Sequence, residues 1–169
     1  TIGAELNFLQ ELRNGRSFAD RFEEMPGVRF PVYYDEFSTR RVLVMEWVEG
    51  AHITDLVFID ANGINRRDLS ERLFRLFLEQ VLDGGQFHAD PHGGNILIKP
   101  DGTIVLIDFG MVGSISKEEA RSVLKVVEGI LFKHFDQVID GLEELRFLLP
   151  HADRRLLADA ISRVVAAYE

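Results

Sequence analysis

The sequence predicts an α+β fold in which helices carry most of the chain, and three observations predict it. Apolar residues recur at near-helical spacing near the start (Leu6, Leu9, Leu12, Phe18, Phe22), in the middle (Leu69, Leu73, Leu76, Phe77, Val81) and again later (Ala120, Val123, Leu124, Val127, Leu131). Between the helical stretches lie short β-branched runs, Ile96-Leu97-Ile98 and Thr103-Ile104-Val105-Leu106-Ile107, joined by Lys99-Pro100-Asp101-Gly102, whose Pro-Asp-Gly is a turn signal. With 169 residues and 46% hydrophobic content, the chain is able to bury a sizeable core.

In chain order, a helix is expected over about Gly3 to Glu24 and is ended by Pro26-Gly27. Val28 to Tyr34 and Arg41 to Val48 read as strands, split by a polar turn at Asp35 to Thr39. Asp68 is placed to cap the middle helix, which ends at Gly84-Gly85. After the hairpin, Ser116-Lys117-Glu118-Glu119 fits a capping box opening a helix. Phe135 to Leu149 and Asp153 to Tyr168 supply two more helices, separated by Pro150. No internal repeat, low-complexity tract or linker interrupts this order.

The formal net charge is −9 and the basic residues are scattered, which argues against a nucleic-acid groove. With no cysteine there is neither a disulfide framework nor a thiol nucleophile. No apolar run approaches the ~20 residues needed to span a bilayer, and no signal peptide is visible. The chain opens at Thr1, directly into a helical pattern, so the expectation is that preceding sequence has been cut away, and a C-terminal truncation is expected as well.

The chemistry concentrates in His88-Ala89-Asp90-Pro91-His92-Gly93-Gly94-Asn95 and, after the hairpin, in Asp108-Phe109-Gly110. Phosphoryl transfer needs an Asp near the attacking hydroxyl, an Asn five residues later for Mg²⁺, and a second Asp beside Phe-Gly for the metal bridging the phosphates. Asp90, Asn95 and Asp108 stand in that order. Mg²⁺ takes only one or two protein oxygens and completes its shell with phosphate and water, so Asn95 and Asp108 suffice as ligands. The hairpin starts at Asn95 and ends at Asp108, so the two are expected to converge. A different reading of His88-x-Asp90-x-His92 is a zinc cluster; a zinc site has no use for Asn95 or for a second Asp at this distance.

The string from His88 to Leu97, followed by Val105-Leu106-Ile107-Asp108-Phe109-Gly110-Met111-Val112-Gly113, resembles the UbiB/AarF family of atypical protein-kinase-like proteins. Ala89 and His92 stand where ordinary protein kinases carry Arg and Lys, as in that family, while Gly93 replaces the family's usual Pro. The resemblance implies a protein-kinase-like fold. Residues 1–48 would form part of the small lobe, with an αC-like helix, two strands and the hinge; residues 49–169 would form the large lobe. It implies ATP and Mg²⁺ as cofactors, Asp90 as the group that accepts or orients the nucleophile's proton, and Asn95 and Asp108 as metal ligands. Glu11 falls at the αC Glu position. Glu5 begins a Glu-x-Asp element in which Asn7 replaces the Asp. Met45 takes the gatekeeper position, and Glu46, Trp47 and Val48 the adenine edge. His92 would contact phosphate or replace the usual Lys, and His88 would bracket the loop. The ATP-binding Lys is not identifiable in this chain.

The function this implies is an atypical kinase or ATPase supporting biosynthesis of ubiquinone or another isoprenoid lipid. Its expected partners are nucleotide, isoprenoid lipid or quinone-biosynthesis proteins, and a membrane held peripherally. The expected place is the bacterial cytoplasm or inner-membrane surface, or a mitochondrion or plastid. Two other readings stay open on the residues: a nucleotide-binding pseudokinase scaffold, and a small-molecule kinase of the aminoglycoside or choline phosphotransferase type.

Overall fold

The computed structural model of the chain describes residues 7–82, 85–149 and 151–167. These pack as two units, the first drawn from Thr1–Leu78 and Phe87–Gly113, the second from Glu79–Gln86 and Ser114–Glu169.

In the first unit, helix α1 (Phe8–Arg21) buries Leu12, Asn14, Gly15 and Phe18 on one face. It stops three residues short of the expected Glu24, where Met25 N–H turns back to the Phe22 carbonyl and Gly27 takes a φ of 72°. That left-handed value is open to Gly without a Cβ penalty. Strand β1 (Val28–Arg29) is only two residues long, a correction to the expected Val28 to Tyr34. Pro31 supplies no N–H and interrupts the ladder. The second expected strand, Arg41 to Val48, does not form as a strand; the segment meets the first only through an isolated bridge of Tyr33 with Met45, flanked by hydrogen bonds from Tyr34 N–H to the Val44 carbonyl at 2.9 Å and from Glu46 N–H to the Val32 carbonyl at 2.7 Å.

Strand β2 (Ala51–His52) follows, then α2 (Leu56–Ala61), whose Asp55 cap accepts from Phe58 N–H at 3.0 Å. Sequence reading does not find α2, because six residues are too few to display a period. The long helix α3 (Arg66–Leu82) is capped by Asn65, whose Oδ1 accepts from Arg67 and Asp68 N–H at 2.9 and 3.3 Å. Asp68 is therefore in the first turn, where its charge favours the helix dipole, and is not the cap. Strands β3 (Gln86–His88), β4 (Ile96–Ile98), β5 (Ile104–Leu106) and β6 (Val112–Ser114) complete the β structure. The hairpin stands as expected, with Ile96 opposite Leu106 and Ile98 opposite Ile104. It lies in a four-stranded sheet ordered β1-β5-β4-β2, while β3 pairs with β6. Ile98, Ile104, Val105 and Leu106 are fully buried, so the hairpin is a rigid base for the residues at its two ends.

The second unit contains α4 (Lys117–Leu131), α5 (Phe135–Glu144) and α6 (Arg154–Ala167). The capping box is present: Ser116 Oγ accepts from Glu119 N–H at 3.2 Å and the Glu119 carboxylate accepts from Ser116 N–H at 2.8 Å. Gly129 and Gly141 let α4 and α5 approach, since a Cβ on either would come within 2.7 Å of Val138 or of the Ser122 carbonyl. Helix α5 ends at Glu144, short of the expected Leu149, and Arg146 adopts a φ of 61°.

Candidate functional site

Strand β3 delivers His88 into the interior, where its Nδ1 accepts from Asp90 N–H at 3.2 Å and its ring lies 5.2 Å from that of Phe109. Burial pulls the His88 pKa down, against backbone hydrogen bonds to Asp108 and Ile107 and the charges of Asp108 and Asp90. The buried imidazole thus ties the loop to the Asp108 turn.

The loop then doubles on itself. His92 N–H donates to the Asp90 carbonyl and Asn95 N–H to the His92 carbonyl, both at 2.9 Å. The His92 ring caps the turn by accepting from Gly94 N–H at 3.0 Å, and its Nε2 lies 3.8 Å from Asp90 Oδ2. The Asp90 side chain is 47% exposed. Asn95 is buried, and its Nδ2 donates to the Asp90 carbonyl at 3.1 Å, which leaves Oδ1 as the acceptor of the amide. Ile107 N–H donates to the Asn95 carbonyl at 2.9 Å, which places Asp108 one residue beyond Asn95's own partner. The convergence expected of the hairpin therefore forms. The zinc reading fails, because His88 turns inward while Asp90 and His92 face solvent; among the described residues no three His, Cys, Asp or Glu side chains group as a metal site.

Asp108 has a φ of 66°, and its Oδ1 accepts from Gly110 N–H at 3.0 Å. Asp tolerates this left-handed conformation better than most residues. The turn is held from α1. Asn14 Nδ2 donates to the Phe109 carbonyl at 2.9 Å, and Gln10 Nε2 fixes the Asn14 Oδ1 at the same distance. The Phe109 ring is fully buried between Phe18 at 5.0 Å and Phe30 at 5.8 Å. Glu11 lies on the same turn of α1. Its pKa is raised by burial and by the charge of Asp108, and lowered by a hydrogen bond from the Phe109 backbone. Gly110 lies between the two carboxylates: a Cβ there would be 3.2 Å from Asp108 Oδ1 and 3.8 Å from Glu11 Oε2. Burial and the Asp108 charge make Glu11 costlier to ionise, and a cation beside it relieves that cost. The donor set, a carboxylate and an amide oxygen with a second carboxylate behind, suits Mg²⁺ and nucleotide phosphates.

Of the residues singled out in the sequence, Asn95, Asp108 and Glu11 lie around this turn with Asp90 in the adjoining loop, whereas Asn14, which bonds the Phe109 carbonyl, is not singled out there. The spacing Glu11-x-x-Asn14, one helical turn, is the available signal. Glu5 lies outside the described residues. Of the residues expected along the adenine edge, Met45 faces Tyr33. The Glu46 carboxylate is held by Arg29 at 2.6 and 2.7 Å, and its N–H donates to the Val32 carbonyl. Trp47 is 87% exposed and Val48 half-buried. Gly50 passes close over β4, since a Cβ there would be 2.6 Å from the Ile98 carbonyl, which fixes the end of this segment against the hairpin.

A mixed helix and strand domain with this loop, hairpin and helix-held Asp-Phe-Gly turn is kinase-like. The chain belongs to the ABC1 atypical kinase-like domain family, the UbiB/ABC1 proteins, whose family model matches residues 1–141. It is similar to an uncharacterized protein of Synechocystis sp., with 36% identity over 160 residues, 95% of this chain and 24% of that protein. Activity of BC1 Complex Kinase 8, chloroplastic, of Arabidopsis thaliana is 35% identical over 151 residues, 88% of this chain and 20% of the relative. AarF domain-containing kinase 1 of Drosophila melanogaster is 36% identical over 145 residues, 79% of this chain and 28% of that protein. Among solved structures, a complex of Rv3197 with erythromycin from Mycobacterium tuberculosis superposes with a TM-score of 0.59 at 27% identity, covering 83% of this chain and 35% of that one. The chain thus spans about a quarter of the length of these curated relatives.

Proposed function

We propose that this domain binds Mg-ATP as the central part of an atypical kinase or ATPase, and that the whole protein serves biosynthesis of ubiquinone or another isoprenoid lipid. The observation that carries the reading is the convergence of Asn95 and Asp108 across the hairpin, beside an exposed Asp90 and against Glu11 of α1. In this reading Asn95 Oδ1 and Asp108 hold Mg²⁺, which supplies charge neutralisation on the triphosphate. Asp90 orients the proton of the attacking hydroxyl or water. Glu11 organises the cationic side of the site, and His92 meets phosphate. The carbonyl of Glu46 and the backbone of Val48 line the adenine edge, with Met45 behind the base and Trp47 at its rim. Residues up to the hinge would belong to a small lobe and those beyond it to a large lobe.

The proposed surroundings follow the relatives, which include chloroplastic and cyanobacterial proteins. A plastid or bacterial membrane surface is proposed, with peripheral attachment and with isoprenoid lipid or quinone-biosynthesis enzymes as partners. No described helix is long and apolar enough to cross a membrane. The test is thermal stability of the full-length protein with ATP in Mg²⁺ or in EDTA, beside Asp108→Asn. Ligand at a hundred times its Kd stabilises by about 2.7 kcal/mol, a readable shift. A shift that requires both Mg²⁺ and Asp108 supports the reading. No shift in any arm overturns it and leaves a scaffold.

A further inference from the structure

Glu11 and Gly15 stand four residues apart on α1, and such positions are neighbours on one helix face, roughly 5–6 Å between Cβ atoms. Gly15 is buried, and the space its side chain would fill belongs to Tyr33: a Cβ on Gly15 would lie 2.3 Å from both Cζ and Oη of that ring. The phenol tip therefore sits against α1 one turn from Glu11, whose charge bears on it. Tyr33 is only 4% exposed, and its Oη is buried with no hydrogen bond among the described residues. An unpartnered buried hydroxyl is costly, and a Phe would fill the same space without that cost. The charged groups that bear on the phenol are Glu11 and Asp108; with burial as the larger cause, they hold its pKa above the usual value. An ionised carboxylate only accepts, so the one hydrogen bond open between these groups has Tyr33 as donor.

We propose that Tyr33 is a positioning residue of the nucleotide site, its hydroxyl donating to the Glu11 carboxylate in the nucleotide-bound state and so orienting Glu11 beside Asp108. The inference rests on the Mg-ATP reading given above. A donor that waits unpaired in the free protein and is satisfied only when the carboxylate turns favours the bound state alone, so its free energy appears as affinity. Gly15 belongs to the same arrangement, because any side chain there drives the ring tip away from Glu11.

The experiment uses the full-length protein as wild type, Tyr33→Phe, Gly15→Ala and Asp108→Asn. It measures Tm without nucleotide and the Kd of Mg-ATP by titration calorimetry. Tyr33→Phe is expected to raise Tm in the absence of nucleotide, because the unsatisfied hydroxyl is gone, while Kd weakens roughly tenfold with loss of a charge-assisted hydrogen bond. Gly15→Ala is expected to lower both stability and affinity. A Tyr33→Phe protein whose Kd stays within about twofold of wild type overturns the proposal and leaves the nucleotide reading standing. A Tm that falls together with affinity also overturns it, since the hydroxyl would then already be satisfied in the free protein. Failure of the wild type itself to bind Mg-ATP overturns the nucleotide reading, and this inference with it.

Discussion

Asp108 combines a proposed metal-ligand role with a left-handed backbone, and the two are separated by choosing the substitution well. Asn accepts φ near 66° at least as readily as Asp and can still receive the Gly110 N–H, so Asp108→Asn removes charge without disturbing the turn. The expected outcome is loss of Mg-dependent nucleotide binding in calorimetry; unchanged affinity in Mg²⁺ would sink the ligand assignment. Asp90→Asn addresses a different quantity. Its half-exposed carboxylate lies 3.8 Å from the His92 ring, so the fold should tolerate the change. A positioned proton acceptor acts in the transition state, and turnover is expected to fall about 10²- to 10⁴-fold with Kd nearly unchanged. Equal turnover makes Asp90 structural. These residues are legible in the sequence because they lie in two short contiguous strings. Asn14 is not, since it acts on that turn through a tertiary contact: Asn14 and the Phe109 carbonyl it binds are 95 residues apart.

Helix α1 locks the Asp-Phe-Gly turn through Asn14, Glu11 and Phe18, and that lock is testable at the scale of the element. Asn14→Ala leaves a buried Phe109 carbonyl without its donor, a loss of about 1–3 kcal/mol. Urea unfolding should show it, and a change below a few tenths would mean that water takes the place of the amide. At α4, Ser116→Ala removes the cap and is expected to lower stability by about 1 kcal/mol. The Glu119 pKa is held below its usual value by the Ser116 side chain and backbone. A depressed carboxylate stabilises the fold above its unfolded value of 4.5, and that contribution is lost as pH falls through the lower folded value. The Ser116→Ala protein should therefore show a flatter loss of stability between pH 5 and acid than wild type, and parallel curves would contradict it. The hairpin and this capping box are legible because turn chemistry and cap spacing are local. The two-residue β1, the short α2 and the Asn65 cap are less so: their form depends on Pro31 within a ladder, on a helix below one period's worth of evidence, and on a choice between two good capping residues.

The molecule as a whole offers a test of where nucleotide energy goes. Every described residue of the proposed site, from Glu11 and Tyr33 through the hinge to Asp90, Asn95 and Asp108, lies in the first unit. Amide exchange reports the free energy of the opening that exposes each N–H, and ligand slows exchange only through openings that release it. The amides of Asn95, Ile107 and Gly110 are bonded to His92, to Asn95 and to Asp108, so they exchange by breaking the site itself. Mg-ATP at a hundred times its Kd is expected to slow them by up to about a hundredfold. Amides of α6, which has no buried residue, open by fraying and need release no nucleotide, so their rates should stay as they are. Hydrogen exchange with mass detection on the full-length protein separates the cases. Protection confined to the loop, the hairpin and α1 places binding energy in the first unit. Equal protection through α4, α5 and α6 would instead mean that both units open only together, and that the nucleotide stabilises a single cooperative body.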